Sequence, residues 1–156
     1  EQFNPLIKLD MELKNSMRLV MELKRDRALS LSLDNNLLTE TKGMDYSVGI
    51  GYRVKDLKFR TNVRGRQSVS SGDLNLKADL SFRDNMTIIR NLDILDNKVT
   101  AGQSIWSFKL SADYALSESF NAVFFYDHLF SEFAISTAFP QTTIRSGITL
   151  RYNFGD

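Results

Sequence analysis

Polar and apolar residues alternate one by one through most of this chain, and that period leaves little choice of backbone. The last twelve residues read RSGITLRYNFGD. Ser146, Ile148, Leu150, Tyr152 and Phe154 fall on one side of an extended chain; Arg145, Gly147, Thr149, Arg151 and Asn153 fall on the other. Successive strand side chains leave opposite faces, so the segment is an apolar face backed by a polar one. Near the start, helical spacing would bring Lys and Asp onto the apolar stripe, so period two displaces period 3.6. The expectation is an all-β, antiparallel chain forming a single region over 1–156.

The alternation suggests about ten strands. The first three are Leu6 to Leu13, Met17 to Lys24, and a run placing Leu29, Leu31 and Leu33 opposite Ser30, Ser32 and Asp34. Asn15-Ser16 and Arg25-Asp26-Arg27 read as turns between them, and Asn35 to Gly43 as a polar loop. Strand four, Tyr46 to Val54, carries Gly49 and Gly51 on its polar side, which leave room where side chains crowd or mark a bend. Lys55-Asp56 reads as a tight turn into strand five, where Leu57 and Phe59 oppose Lys58, Arg60 and Arg64. A Ser/Gly loop from Gln67 to Asp73 precedes strand six, with Leu74 to Phe82 opposing Lys77, Asp79 and Arg83, and Asp84-Asn85 reads as its turn. Strand seven, Met86 to Arg90, is the least regular because Ile88 and Ile89 are adjacent; a loop from Asn91 to Gly102 follows. Strand eight sets Trp106, Phe108, Leu110, Ala112 and Tyr114 against Lys109 and Asp113. Strand nine carries Phe120 to Tyr126, a loop runs from His128 to Thr143, and the terminal segment is strand ten.

An apolar strand face can meet a second sheet, as in a sandwich, or hydrocarbon, as in a membrane barrel, and alternation alone does not choose. Three regularities favour the barrel. Short links after strands two, four, six and eight trade with longer ones, as periplasmic turns do with external loops; the short Asn15-Ser16 turn is the exception. Aromatics gather at the ends of the apolar faces. With the C-terminus periplasmic, Tyr52, Phe59, Phe82, Tyr114, Phe120, Tyr152 and Phe154 fall toward the periplasmic rim, and Tyr46, Trp106 and Tyr126 toward the outer one. The apolar faces also exclude charge, while Lys58, Arg60, Arg64, Lys77, Asp79, Arg83, Lys109, Asp113 and Arg151 take the opposite side, a hydrated lumen wall. The Lys58, Arg60 and Arg64 rung is expected to be balanced by Asp79 and its neighbours on the next strand.

Composition excludes several alternatives. Net charge is +1, so no long basic surface for nucleic acid is implied. There is no cysteine, hence no disulfide framework or thiol chemistry. The opening EQFNPL has no basic n-region and apolar core, so the expectation is that any signal peptide is already gone or that the chain is a fragment. No run reaches the roughly 18–20 apolar residues of a membrane helix, which says nothing against strands. His128, the lone histidine, adjoins Asp127, but neighbours on a strand point to opposite faces, so the pair is weak ground for acid–base chemistry. No metal-ligand spacing or nucleotide fingerprint is present, and no catalysis or cofactor is expected.

The terminal pattern Arg145, Gly147, Leu150, Tyr152, Phe154 resembles the closing strand of bacterial outer-membrane barrels, the signal read by the assembly machinery; the trailing Gly155-Asp156 departs from the usual final aromatic. Any amphipathic edge strand would share much of it. A wider resemblance covers essentially the whole chain: FNPL, SLSLDNNLLTE, VGIGYRVKDLKF, DLNLKADLSFRDNMTIIR, SADYALS, FFYD and STAFPQTTIRSGITLRYNFG resemble the C-terminal part of the SprA (Sov) family, the outer-membrane translocons of the Bacteroidota type IX secretion system. The resemblance implies a very large barrel that passes folded cargo bearing C-terminal secretion signals to the cell surface. It implies as partners a PorV-like shuttle protein, a periplasmic plug and motor components. Family members are many times longer, so this chain would be the last strands of the wall. A free-standing ten-stranded outer-membrane barrel (porin, adhesin or rim enzyme) and a soluble β-sandwich binding module are the competing expectations.

Overall fold

A computed structural model describes residues 1–63, 66–94, 96–117, 119–135 and 139–154, without the side chains of 59–63 and 66–70. The described residues form one antiparallel sheet of seven strands in sequence order. These are β1 (Gln2–Leu13), β2 (Met17–Ser32), β3 (Leu37–Val63), β4 (Arg66–Asn91), β5 (Asp96–Ser117), β6 (Phe120–Phe133) and β7 (Gln141–Tyr152). The all-β, antiparallel class expected from the alternation is the class observed.

The number of strands is corrected from ten to seven. The expected turn at Arg25-Asp26-Arg27 is a paired stretch inside β2, opposite Met44, Gly43 and Lys42. Asp84 and Asn85 pair inside β4 with Ser104 and Gln103. Lys55-Asp56 lies within β3, and most of the expected loops Asn35–Gly43, Gln67–Asp73, Asn91–Gly102 and His128–Thr143 is strand. Expected strands two and three are thus one strand, as are four and five, and six and seven. The physical reason is that Arg25-Asp26-Arg27 and Asp84-Asn85 put polar residues on both faces, so the period-two signal breaks locally while the hydrogen-bond ladder continues.

Lys55-Asp56 keeps a special conformation without being a turn. The register slips by one residue between Val54 and Leu57, a β-bulge, and Asp56 sits at φ 53°. The Asp73 carboxylate holds it: the Asp56 backbone N–H donates to Oδ1 at 3.2 Å, and the Arg53 guanidinium donates to Oδ2. From β5, the Tyr114 hydroxyl reaches across β4 and donates to the Leu57 carbonyl at 3.1 Å. It crosses at the level of Gly72, where a Cβ would stand 1.7 Å from the Ala115 carbonyl oxygen.

The strand ends define two rims. β1, β3, β5 and β7 end at one rim, where β2, β4 and β6 begin; β2, β4 and β6 end at the other, where β1, β3, β5 and β7 begin. The Asn15-Ser16 turn therefore shares a rim with the C-terminal end of β7, and the expected rhythm of short links after strands two, four and six falls with those turns, which lie inside β2, β3 and β4. β1 and β7 make no contact with each other among the described residues, so the sheet has two open edges. Nor does it bury a conventional core: Tyr114 is the single buried apolar residue described.

Candidate functional site

The register turns the alternation into a surface. One face carries five successive cross-strand rungs that are almost wholly apolar. At the β1-start side lies Ile7–Leu23–Tyr46–Phe82–Trp106–Phe130–Thr142. The middle rung is Met11–Leu19–Ile50–Ala78–Leu110–Tyr126–Ser146. The last, Val54–Leu74–Tyr114–Ala122–Leu150, spans β3 to β7. Eight residues separate Tyr46 from Val54, so the belt is roughly 27 Å long at ~3.3 Å per residue, and roughly 29 Å wide across seven strands. That is on the order of 800 Å², more than the few hundred Å² that soluble monomers leave bare.

Aromatic residues line both margins of this belt. At the first rung Tyr46 stacks on Phe82 with centroids 6.4 Å apart, and Phe82 lies 4.4 Å from Trp106. Toward the other rim, Phe120 meets Tyr152 at 6.3 Å and Tyr152 meets Phe154 at 4.7 Å, with Tyr52 and Tyr114 at the same side. Two expected placements are corrected. Phe82 belongs with Tyr46 and Trp106, because β4 does not turn at Asp84. Tyr126 lies on the middle rung, because β6 continues to Phe133; Phe130 takes the rim position instead. The side chain of Phe59 lies outside the described residues.

The opposite face is the charged one. Lys77, Asp79, Arg83, Lys109, Asp113 and Arg151 all share it by register. Along one of its rungs, Asp10 accepts two hydrogen bonds from Arg18 and Asp127 accepts one from Arg145 at 2.8 Å. Asp79 leans over Gly49, where a Cβ would stand 2.5 Å from its Oδ1; this is the crowding expected of that glycine. Asp79 does not balance Lys58, which pairs with Ser71. β3 runs on past the expected fourth strand, so Asp79 sits beside Gly49 and Lys109, far along the ladder from Lys58. Arg64 and the side chain of Arg60 lie outside the described residues. Gly147 also has a structural reason to be glycine: a Cβ there would stand 2.9 Å from the ring of Phe125, which covers it. Leu150, Tyr152 and Phe154 stand exposed on or beyond the free edge strand.

His128 belongs to β6 rather than to a loop, on the apolar face between Phe108 and Ile144. Its Nδ1 lies 3.4 Å from the Tyr126 hydroxyl, while Asp127 faces the other side with Arg145. The neighbouring His and Asp are therefore not brought together. Among the described residues no group of three or more His, Cys, Asp or Glu is placed to hold a metal, and no helix is long and apolar enough to cross a membrane.

Sequence reasoning missed what happens past the first aromatic rung. On the same face as the belt, the next rung is Phe3–Arg25–Met44–Asp84–Ser104–Glu132, and the one after begins Arg27–Lys42–Met86. Glu40 is buried there, accepting from Arg27 Nε at 2.7 Å and from Arg90 at 2.5 Å. These hydrogen bonds, first Arg90 and then Arg27, hold its carboxyl below the ordinary carboxylate range. The spacing of two in Arg25-x-Arg27 and Glu40-x-Lys42 was the available signal, hidden by reading both stretches as connections. No protein-family model matches this chain, and no curated protein matches it.

Proposed function

We propose that the chain is a wall segment of an outer-membrane, protein-conducting channel, the type IX secretion translocon that its sequence resembles. The observation that carries the membrane part of this reading is the change along a single face. Five apolar rungs end at an aromatic row, and the next rung on that face is charged. Hydrocarbon excludes charge, rings with polar tips settle at its boundary, and charges are stable just beyond. A soluble sheet has no cause to switch in that order, and one with this belt would need a second layer to cover it. At a strand tilt of about 35–45° the belt stands roughly 20 Å tall, near the ~25 Å apolar band of such barrels.

The open edges support a segment over a small self-closed barrel. Unpaired backbone groups cannot be left in lipid, so β1 and β7 each need a pairing partner, which further strands of a longer wall would supply. The charged face then lines a wet passage, the exposed apolar face meets lipid, and no catalysis is assigned. Cargo proteins with C-terminal secretion signals, a PorV-like shuttle and a periplasmic plug follow from the resemblance as partners.

These 156 residues hold no cysteine, and the test uses a full-length background in which any other cysteine is replaced by serine. Single Lys109→Cys and Leu110→Cys variants of the full-length gene product are treated in intact membranes with a membrane-impermeant thiol reagent, and export of signal-bearing cargo is followed in parallel. Labelling at 109 with protection at 110 is expected, and occupancy of 109 by a bulky adduct should slow export. Equal labelling of both positions would refute a lipid-facing belt; unchanged export on loss of the gene would refute the translocon assignment.

A further inference from the structure

We propose that Arg25, Arg27 and Lys42 form a binding site for the phosphate of an anionic lipid headgroup, in the leaflet at the rim where β1 begins. The inference rests on the membrane reading above and deepens it. The three cations occupy two successive rungs of the lipid-facing side, starting one rung past Tyr46, Phe82 and Trp106. One rung is two residues, about 7 Å along the strand, which is the step from acyl chains into headgroups.

The local charge is uneven in a way that leaves cations spare. Glu40 is saturated, holding Arg27 on one side and Arg90 on the other. Asp84 accepts a hydrogen bond from the Ser104 hydroxyl at 2.8 Å. Arg25 and Lys42 have neither an ion pair nor a side-chain hydrogen bond among the described residues. They stand with Arg27 around a cavity of about 410 Å³, ample for a phosphate group. Glu40 fixes Arg27 through its Nε, so that guanidinium is held in place before any ligand arrives. Exposed basic residues beside an aromatic margin bind acidic lipid surfaces at about fivefold in affinity per cation, or ~1 kcal/mol each. A phosphate can accept from both guanidinium planes while the lysine supplies a point charge.

The probe is bis-phosphorylated lipid A in phosphatidylcholine nanodiscs holding the full-length gene product, with retained lipid counted by native mass spectrometry. The Arg25→Gln, Lys42→Gln double variant spares Arg27 and its hold on Glu40. Its retention of the probe should fall roughly 25-fold, at about fivefold per charge removed. The Lys77→Gln, Lys109→Gln variant, on the opposite face, should retain it as wild type does. Millimolar inorganic phosphate should displace little; full displacement would make this a soluble-anion site and overturn the lipid assignment. In the same discs, the emission lost on Trp106→Phe is tested with brominated lipid. Quenching of Trp106 with equal retention by wild type and double variant overturns this proposal alone. Absence of quenching overturns the membrane reading, and this inference with it.

Discussion

A charge placed at Ile50 tests the belt most severely. Ile50 sits on the middle rung, four residues from Tyr46 and four from Val54. At ~3.3 Å per residue and a tilt of about 40°, it lies roughly 10 Å below either margin. It is 41% exposed, so in water an arginine there would leave no cavity and should cost no more than about 0.5 kcal/mol. In a bilayer the same arginine sits near the midplane and should cost about 2–4 kcal/mol, a roughly 30-fold to 900-fold fall in the folding equilibrium constant. Met44, two rungs past Val48 and beyond the aromatic row, supplies the contrast: Met44→Arg should cost about 0–1 kcal/mol. The assay is urea titration of the full-length protein in lipid vesicles, read by tryptophan emission, alongside its assembled level in the membrane. Equal costs at 50 and 44, or both within about 0.5 kcal/mol, would refute the assignment of this face to hydrocarbon.

Two further outcomes follow from named contacts. Glu40 is held ionised by Arg90 and Arg27, so its folded pKa lies below 4.5 while the unfolded value stays near it. Its contribution to stability is complete above about that pH and is lost as pH falls through the lower folded value; wild type and Glu40→Gln should therefore differ in stability at neutral pH and converge in acid, and a gap that persists at the lowest pH would exclude the carboxylate as its source. Gly147→Val should cost about 1–2 kcal/mol by displacing the Phe125 ring. Adding Phe125→Ala should recover part of that, a coupling of at least about 0.5 kcal/mol in a double-mutant cycle of assembled protein; additivity would mean that Gly147 acts through the assembly signal instead of through packing.

The sequence disclosed faces better than it disclosed ends. Period two placed Leu110 and Lys109, or Tyr46 and Ser47, on opposite sides, because within the belt one face is apolar and the other polar. Arg25-Asp26-Arg27 and Asp84-Asn85 looked like turns because past the aromatic row polar residues occupy both faces, and a polar run is then equally at home in a ladder. The misplacement of Phe82 and Tyr126 followed from those false ends. The buried Glu40 with its two arginines was illegible for a further reason. Its partners lie 13 and 50 residues away in the chain, and only the pairing register brings them together.

The surplus residue beside Asp56 acts as a phase shifter. Strict alternation from Val54 would send Leu57 to the charged side and Lys58 to the greasy one; the slip restores both to their own medium. Removing Lys55 or Asp56 would leave Val54 and Leu57 two residues apart in plain alternation, so Leu57 and Lys58 would keep their faces with no slip to absorb.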